Sequence, residues 1–167
     1  MGQRVLVIVP AFNEAAAVGD VVASVRAVDP KFDVVVVDDG SSDATAAAAR
    51  AADAIVLELP FNLGVGGAMR VGYRFARDNG YDVAVQVDGD GQHDPTEIPT
   101  LVDSLASADI VIGARFAGKG DYVAKGPRRV AMKMLARSLS RTCRAPLTDV
   151  TSGFRAVNRR TIGPFSE

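Results

Sequence analysis

Val83-Ala84-Val85-Gln86-Val87-Asp88-Gly89-Asp90-Gly91-Gln92-His93-Asp94-Pro95 contains the logic of the fold in one short stretch. A run dominated by valine favours a buried strand, and the glycines and aspartates after it stop that strand in a polar loop. Asp94 then offers a helix cap, Pro95 suits a first helical position and Glu97 completes capping-box spacing. Ile98, Leu101, Val102 and Leu105 follow at the spacing of one buried helix face. Strand, polar loop and capped helix in that order are the repeating unit of an α/β protein with a parallel sheet.

Working outward, the same unit recurs. Val5-Leu6-Val7-Ile8-Val9, Val34-Val35-Val36-Val37, Ala54-Ile55-Val56-Leu57 and Ile110-Val111-Ile112 are the other strand candidates. Near-continuous apolar runs of this kind belong to strands covered on both faces. Val18, Val21, Val22 and Val25 mark a helix face between the first two. Gly118, Gly120, Gly126 and Pro127 mark a loose segment before a further helix over 128–142. The expectation is a mostly parallel central sheet with helices on both faces, in a single domain spanning 1–167. Asn158-Arg159-Arg160-Thr161-Ile162 reads as a helix beginning, which suggests a continuation beyond Glu167.

At 167 residues the chain has the size of one domain, large enough to bury about 70% of its unfolded surface. A formal net charge of −1 gives no overall field to draw it onto nucleic acid. Cys143 is the single cysteine, so no internal disulfide forms; with apolar neighbours it reads as a core residue. Met1-Gly2-Gln3-Arg4 leads directly into the first strand, which suits the cytosol, and no apolar stretch approaches the roughly 20 residues needed to span a bilayer.

Chemistry concentrates after three strands: Pro10-Ala11-Phe12-Asn13-Glu14, Asp38-Asp39-Gly40-Ser41-Ser42-Asp43 and 88–94. In an open parallel sheet, ligands bind beyond the carboxyl ends of the strands. Carboxylates gathered there without matching bases repel one another unless a cation compensates, which implies a divalent metal. Asp88 and Asp90 fall on one side of an extended turn and suit a hard cation, Mg²⁺ or Mn²⁺, while Gly89 and Gly91 let a diphosphate approach the backbone. Simpler readings compete. The 38–43 cluster also reads as a turn with a helix cap. The 88–99 stretch fits a calcium loop poorly, with His93 in place of the sixth-position glycine and Pro99 in place of the terminal glutamate. Gly64-Val65-Gly66-Gly67 lacks a full dinucleotide fingerprint and reads as a tight loop before a helix. His93 suits a surface or capping role at least as well as metal ligation, and is not counted as a ligand.

Taken together, Val9-Pro10-Ala11-Phe12-Asn13-Glu14, Val37-Asp38-Asp39-Gly40-Ser41, Asn62-Leu63-Gly64 with Gly67-Ala68, Asp88-Gly89-Asp90-Gly91-Gln92-His93, Gly113-Ala114-Arg115-Phe116 and Thr151-Ser152-Gly153-Phe154-Arg155 resemble family 2 glycosyltransferases of the GT-A fold. Within them, the likeness is to the dolichyl- or polyprenyl-phosphate mannose synthases. The resemblance implies that Pro10, Ala11 and Glu14 line the nucleoside pocket, that Asp39 meets the base or ribose, and that Asp88, Asp90 and Gln92 hold the metal and diphosphate. The family's acidic loop is often Asp-Ala-Asp-Leu-Gln-His-Pro-Pro; Gly89, Gly91 and Asp94 make this one more acidic. The synthases also usually continue well past the Ser-Gly-Phe segment, some into membrane helices.

The activity implied is inverting, metal-dependent transfer of a mannose- or glucose-class sugar from a nucleoside-diphosphate sugar, GDP-mannose or UDP-glucose in type, to a polyprenyl phosphate. A phosphate acceptor is already ionised at neutral pH and needs no strong base. It needs cations: Arg115 and Arg128 are the expected acceptor-phosphate residues and, with Asp90, the catalytic set, with Arg129 in reserve and Ser152 and Arg155 supporting the acceptor side. Such an enzyme works from the cytoplasm, peripherally at the membrane face, with an anchor supplied by a partner. Two alternatives remain: transfer to a saccharide hydroxyl, with Asp149 as base, and a non-catalytic nucleotide-binding module. A nucleotidyltransferase fits less well, because Asn13 and Glu14 stand where its glycine-rich signature would be.

Overall fold

A computed structural model of the chain describes residues 2–113 and 152–167. All five valine- and isoleucine-rich runs form strands: β1 (Val5–Ala11), β2 (Asp33–Asp38), β3 (Ile55–Glu58), β4 (Val83–Gln86) and β5 (Ile110–Ile112). Helices α1 (Val18–Val28), α2 (Thr45–Ala51), α3 (Gly64–Asp78) and α4 (Ile98–Ser104) connect them, and a sixth strand, β6 (Arg155–Asn158), leads into α5 (Arg159–Phe165). The sheet runs β3-β2-β1-β4-β6-β5. β1 pairs in parallel with β2 and β4, and β2 with β3; among the described strands only β6 is antiparallel, wedged between β4 and β5.

Side chains alternate across the sheet, so the inner strands β1, β2 and β4 each supply two cores. Val5, Val7 and Val9 meet α1 and α4 through Val18, Val22, Ile98 and Leu101. Leu6 and Ile8 face the other way and meet α3 and α5 through Ala68, Met69, Tyr73 and Ile162. Leu6, Val7, Ile8 and Val9 are fully buried, each worth roughly 1.5–3 kcal/mol relative to exposure. That double layer explains why β1 shows no polar alternation.

Three local expectations are corrected. Asp94 does cap, accepting the Thr96 N–H at 3.0 Å, but Pro95–Glu97 form a 3₁₀ turn and the α-helix starts only at Ile98. Pro99 has no N–H to give to the Pro95 carbonyl, which Ile98 takes instead in an i→i+3 bond. Gly64-Val65-Gly66-Gly67 are the first turn of α3 rather than a loop before it. Asn158, read as part of a starting helix, caps α5 by accepting from the N–H groups of Arg160 at 3.1 Å and Thr161 at 3.3 Å. The helix expected over 128–142 and Cys143 lie outside the described residues.

Candidate functional site

Because β1, β2 and β4 run parallel, their carboxyl ends open on one edge of the sheet. The edge carries a cleft of about 310 Å³. Pro10, Ala11, Glu14, Asp39, Asp88, Gly89 and Asp90 all line it, so seven of the residues singled out from sequence meet in one place. Phe12, Asn62, Gly64, Val65 and Ala68 complete the lining. Phe12 and Val65, 46% and 61% exposed, add apolar surface to the cleft lining. An apolar wall with a few convergent polar groups is the usual form of a small-molecule site.

The loops beneath the cleft are tied to each other. Asn13 accepts the Ser42 N–H at 2.9 Å while the Asn13 N–H donates to the Ser41 hydroxyl at 2.9 Å. The Glu14 N–H donates to the Thr45 hydroxyl at 2.8 Å, and the Ala15 N–H to Asp43 at 3.2 Å. Asp43 in turn accepts from the Thr45 hydroxyl and N–H, and the hydroxyl bond above all holds its carboxyl below the ordinary value of 3.8. Asp38 accepts the Ser41 N–H at 3.0 Å. The turn-and-cap reading of this cluster therefore accounts for Asp38 and Asp43.

Asp39 is different. It is buried, 3% exposed, and one carboxylate oxygen accepts the Leu63 N–H at 2.7 Å, which joins β2 to the start of α3. Gly40 makes that approach possible: its φ is +74°, and a Cβ there would lie 2.8 Å from the Phe61 carbonyl carbon.

The loop after β4 is less committed. Asp90 is exposed and accepts the Gln92 N–H at 3.0 Å. Asp88 accepts from the Gln86 amide at 3.1 Å. Both face the cleft and retain free lone pairs for a hard cation. Gln92, expected as the third ligand, is exposed and outside the cleft lining, because the Asx turn on Asp90 carries the chain outward. Among the described residues no three acidic, histidine or cysteine side chains gather closely enough to hold a metal alone. Two carboxylates in an open cleft nevertheless suit Mg²⁺ or Mn²⁺, which typically complete their shells with water and substrate phosphates.

Ser152 and Arg155 do not line the cleft. Ser152 is fully buried and its hydroxyl accepts the Phe154 N–H at 3.3 Å. Arg155 donates to the Ser152 carbonyl at 3.0 Å, and its Nε is buried without a partner among the described residues. Nearby, burial pushes the Tyr73 hydroxyl up to about 12, with the Arg155 charge opposing it. Arg115, Arg128 and Arg129 lie outside the described residues, as does Asp149. His93, expected at the surface, is instead inside: its side chain is 5% exposed, and it accepts the Asp88 N–H at 3.2 Å. A lone histidine between aspartates carries no periodicity that reveals burial.

The Micrococcus luteus undecaprenyl-phosphate mannosyltransferase is 38% identical over 166 residues, covering 95% of this chain and 68% of that protein. The polyprenol monophosphomannose synthase of Mycolicibacterium smegmatis is 35% identical, covering 96% and 63%. Among solved structures, glucosyl-3-phosphoglycerate synthase from Mycobacterium tuberculosis, in complex with Mn²⁺, UDP-glucose and phosphoglyceric acid, superposes with a TM-score of 0.72 at 25% identity; the match covers 95% of this chain and 58% of that one. The chain thus spans roughly six- to seven-tenths of these relatives' length. The family model for Glycosyl transferase family 2 matches residues 6–163, nearly the whole span in which the parallel sheet and its acidic edge are built, and this chain belongs to that family, with its GT-A fold.

Proposed function

We propose that this chain transfers a sugar from a nucleoside-diphosphate sugar to a polyprenyl phosphate, with inversion and with the aid of Mg²⁺ or Mn²⁺. The observation that carries the reading is the meeting of Asp39, Asp88 and Asp90 with Pro10, Ala11 and Glu14 in one cleft at the carboxyl edge of the sheet. The likeness to an undecaprenyl-phosphate mannosyltransferase and a polyprenol monophosphomannose synthase supports the acceptor class.

In this reading Pro10, Ala11 and Glu14 bound the nucleoside, and Asp39, held by the Leu63 N–H, presents its free oxygen to the ribose or base. Asp88 and Asp90 are the residues that would hold the cation beside the diphosphate. When bound, that cation stabilises the negative charge that develops on the departing nucleoside diphosphate. A phosphate acceptor brings its own negative charge and attacks from the far side of the sugar in a single displacement, so no enzyme nucleophile is required. Arg115 and Arg128 are the proposed grip on that phosphate, through paired hydrogen bonds from each guanidinium. Gln92 and the Ser152 and Arg155 segment take secondary parts. No helix among the described residues is long and apolar enough to cross a membrane, and the chain is proposed to work at the cytoplasmic membrane face beside an anchoring partner.

The test is calorimetric titration of GDP and UDP with and without Mn²⁺, followed by transfer assays from GDP-mannose and UDP-glucose to a polyprenyl phosphate. Metal-dependent binding of one nucleotide and transfer to the lipid phosphate are expected. Binding that ignores the metal, without transfer, would overturn the reading in favour of a nucleotide-binding module. Transfer to a free sugar but not to lipid phosphate would move the acceptor to a hydroxyl.

A further inference from the structure

The proposed reaction gives the chain's single histidine no part. Yet the His93 side chain is only 5% exposed in a loop whose neighbours Gln92 and Asp94 are exposed, and both its ring nitrogens face Asp88. Nδ1 accepts the Asp88 backbone N–H at 3.2 Å. Nε2 stands 3.7 Å from the Asp88 carboxylate, too far for a full hydrogen bond but close enough for the N–H dipole to orient it. The ring stacks on Phe154, with centroids 5.2 Å apart and planes inclined by 19°. The residue before Phe154 closes the same cradle: a Cβ on Gly153 would lie 2.7 Å from Asp88 Cγ. On the remaining side Gln86, itself 6% exposed, donates to Asp88 Oδ1 at 3.1 Å.

This arrangement selects one tautomer. A nitrogen that accepts a backbone N–H carries no hydrogen of its own, so the neutral ring holds its hydrogen on Nε2, the atom facing the carboxylate. The other tautomer would set two N–H groups against each other and point a lone pair at a negative charge. We propose that His93 is a positioning residue: fixed as the Nε2–H tautomer between Phe154 and the Asp88 backbone, it holds the Asp88 carboxylate in the cleft. Segment 152–155 thereby sets the geometry of the donor-side acid. The functional consequence rests on Asp88 serving as a cation ligand; the tautomer and the cradle do not.

The single histidine makes the first test direct. Two-bond ¹H–¹⁵N correlation on histidine-labelled protein, without metal or nucleotide, is expected to show one ring held as the Nε2–H tautomer with Nδ1 bare. A ring protonated on Nδ1 instead, or averaging rapidly between the two forms, would overturn the proposal whether or not the chain binds nucleotide. The second test follows free Mn²⁺ by electron paramagnetic resonance, in the presence of GDP or UDP, whichever the wild-type chain binds. His93→Ala is expected to weaken Mn²⁺ about 10-fold, the usual effect of losing a group that orients a ligand. His93→Asn is expected to recover part of that loss, because its Oδ1 falls where Nδ1 stood and can accept the Asp88 N–H. Unchanged Mn²⁺ affinity in His93→Ala beside abolished affinity in Asp88→Asn would sink the positioning role and leave the metal reading standing. No recovery in His93→Asn would reduce His93 to packing and equally overturn it.

Discussion

Two acidic loops flank the end of β1 at the carboxyl edge of the sheet, and their sequences look alike, yet the chain uses their charges differently. In the loop after β2, backbone N–H groups of Ser41, Leu63, Thr45 and Ala15 all donate to aspartates. Asp38 and Asp39 are 5% and 3% exposed. In the loop after β4, Asp88 receives no backbone N–H among the described residues, and exposed Asp90 receives one. The first loop consumes its charge in building a turn that clamps β1, β2 and α3 together. The second leaves charge unspent, facing the cleft. Acid density in a sequence therefore does not separate a structural turn from a cation site; what separates them is how many N–H donors the local backbone brings to each carboxylate.

The strongest way to break this contrast is Asp90→Ala. Asp90 is one of two carboxylates that would hold the charge-stabilising cation, and losing such preorganised stabilisation typically costs about 10²–10³ in rate. Transfer is expected to fall by that order while the thermal midpoint stays near wild type, because Asp90 is exposed and, among the described residues, supports only the Gln92 turn. A variant that instead unfolds, measured by circular dichroism, would show the second loop to be as structural as the first. Gly40→Ala tests the first loop. Its positive φ and the overlap with the backbone at Phe61 and Asn62 are expected to cost about 2–4 kcal/mol in urea unfolding. Nucleotide affinity should fall with it, since the Leu63 N–H that holds Asp39 lies next along the chain.

The sheet was legible from sequence because unbroken β-branched runs mark strands, and five such runs stand out; but of these only β1, β2 and β4 are covered on both faces as expected, whereas β3 and β5, at the sheet edges, are partly exposed. β6 was not: of Arg155, Ala156, Val157 and Asn158 only two are apolar, and its partners Gln86 and Ile112 are far away in sequence. Helix α2, Thr45–Ala51, is mostly alanine and shows no large apolar stripe. The cleft residues were legible because polar clusters after parallel strands share one edge. The finer geometry was hidden in local bonds. Nothing in the residue order shows that the Asx turn on Asp90 sends Gln92 outward, or that His93 turns inward onto Phe154.

Smaller effects sharpen the comparison. Thr45→Val keeps the shape of a buried side chain but removes the hydroxyl that accepts from the Glu14 N–H and donates to Asp43. A cost of about 1–2 kcal/mol is expected in urea unfolding. A raised KM for the donor with little change in kcat is expected too, because Glu14 lines the cleft.

The subtlest test uses pH. The Thr45 bonds hold Asp43 below 3.8, so it stabilises the fold above that pH, and the contribution is lost as the pH falls from 3.8 through the lowered value. The stability gap between wild type and Thr45→Val should therefore be constant near neutrality and narrow below pH 3.8, read from urea midpoints. Asp94 supplies the discriminating case. It belongs by position to the uncommitted loop, but the Thr96 hydroxyl and N–H hold its carboxyl below the ordinary value just as Thr45 holds Asp43. Thr96→Val should thus show the same narrowing in the same window while leaving Mn²⁺-dependent nucleotide binding intact. If Thr96→Val instead weakens that binding as Asp90→Ala does, Asp94 is part of the cation site, and the boundary between committed and available carboxylates falls later in the loop.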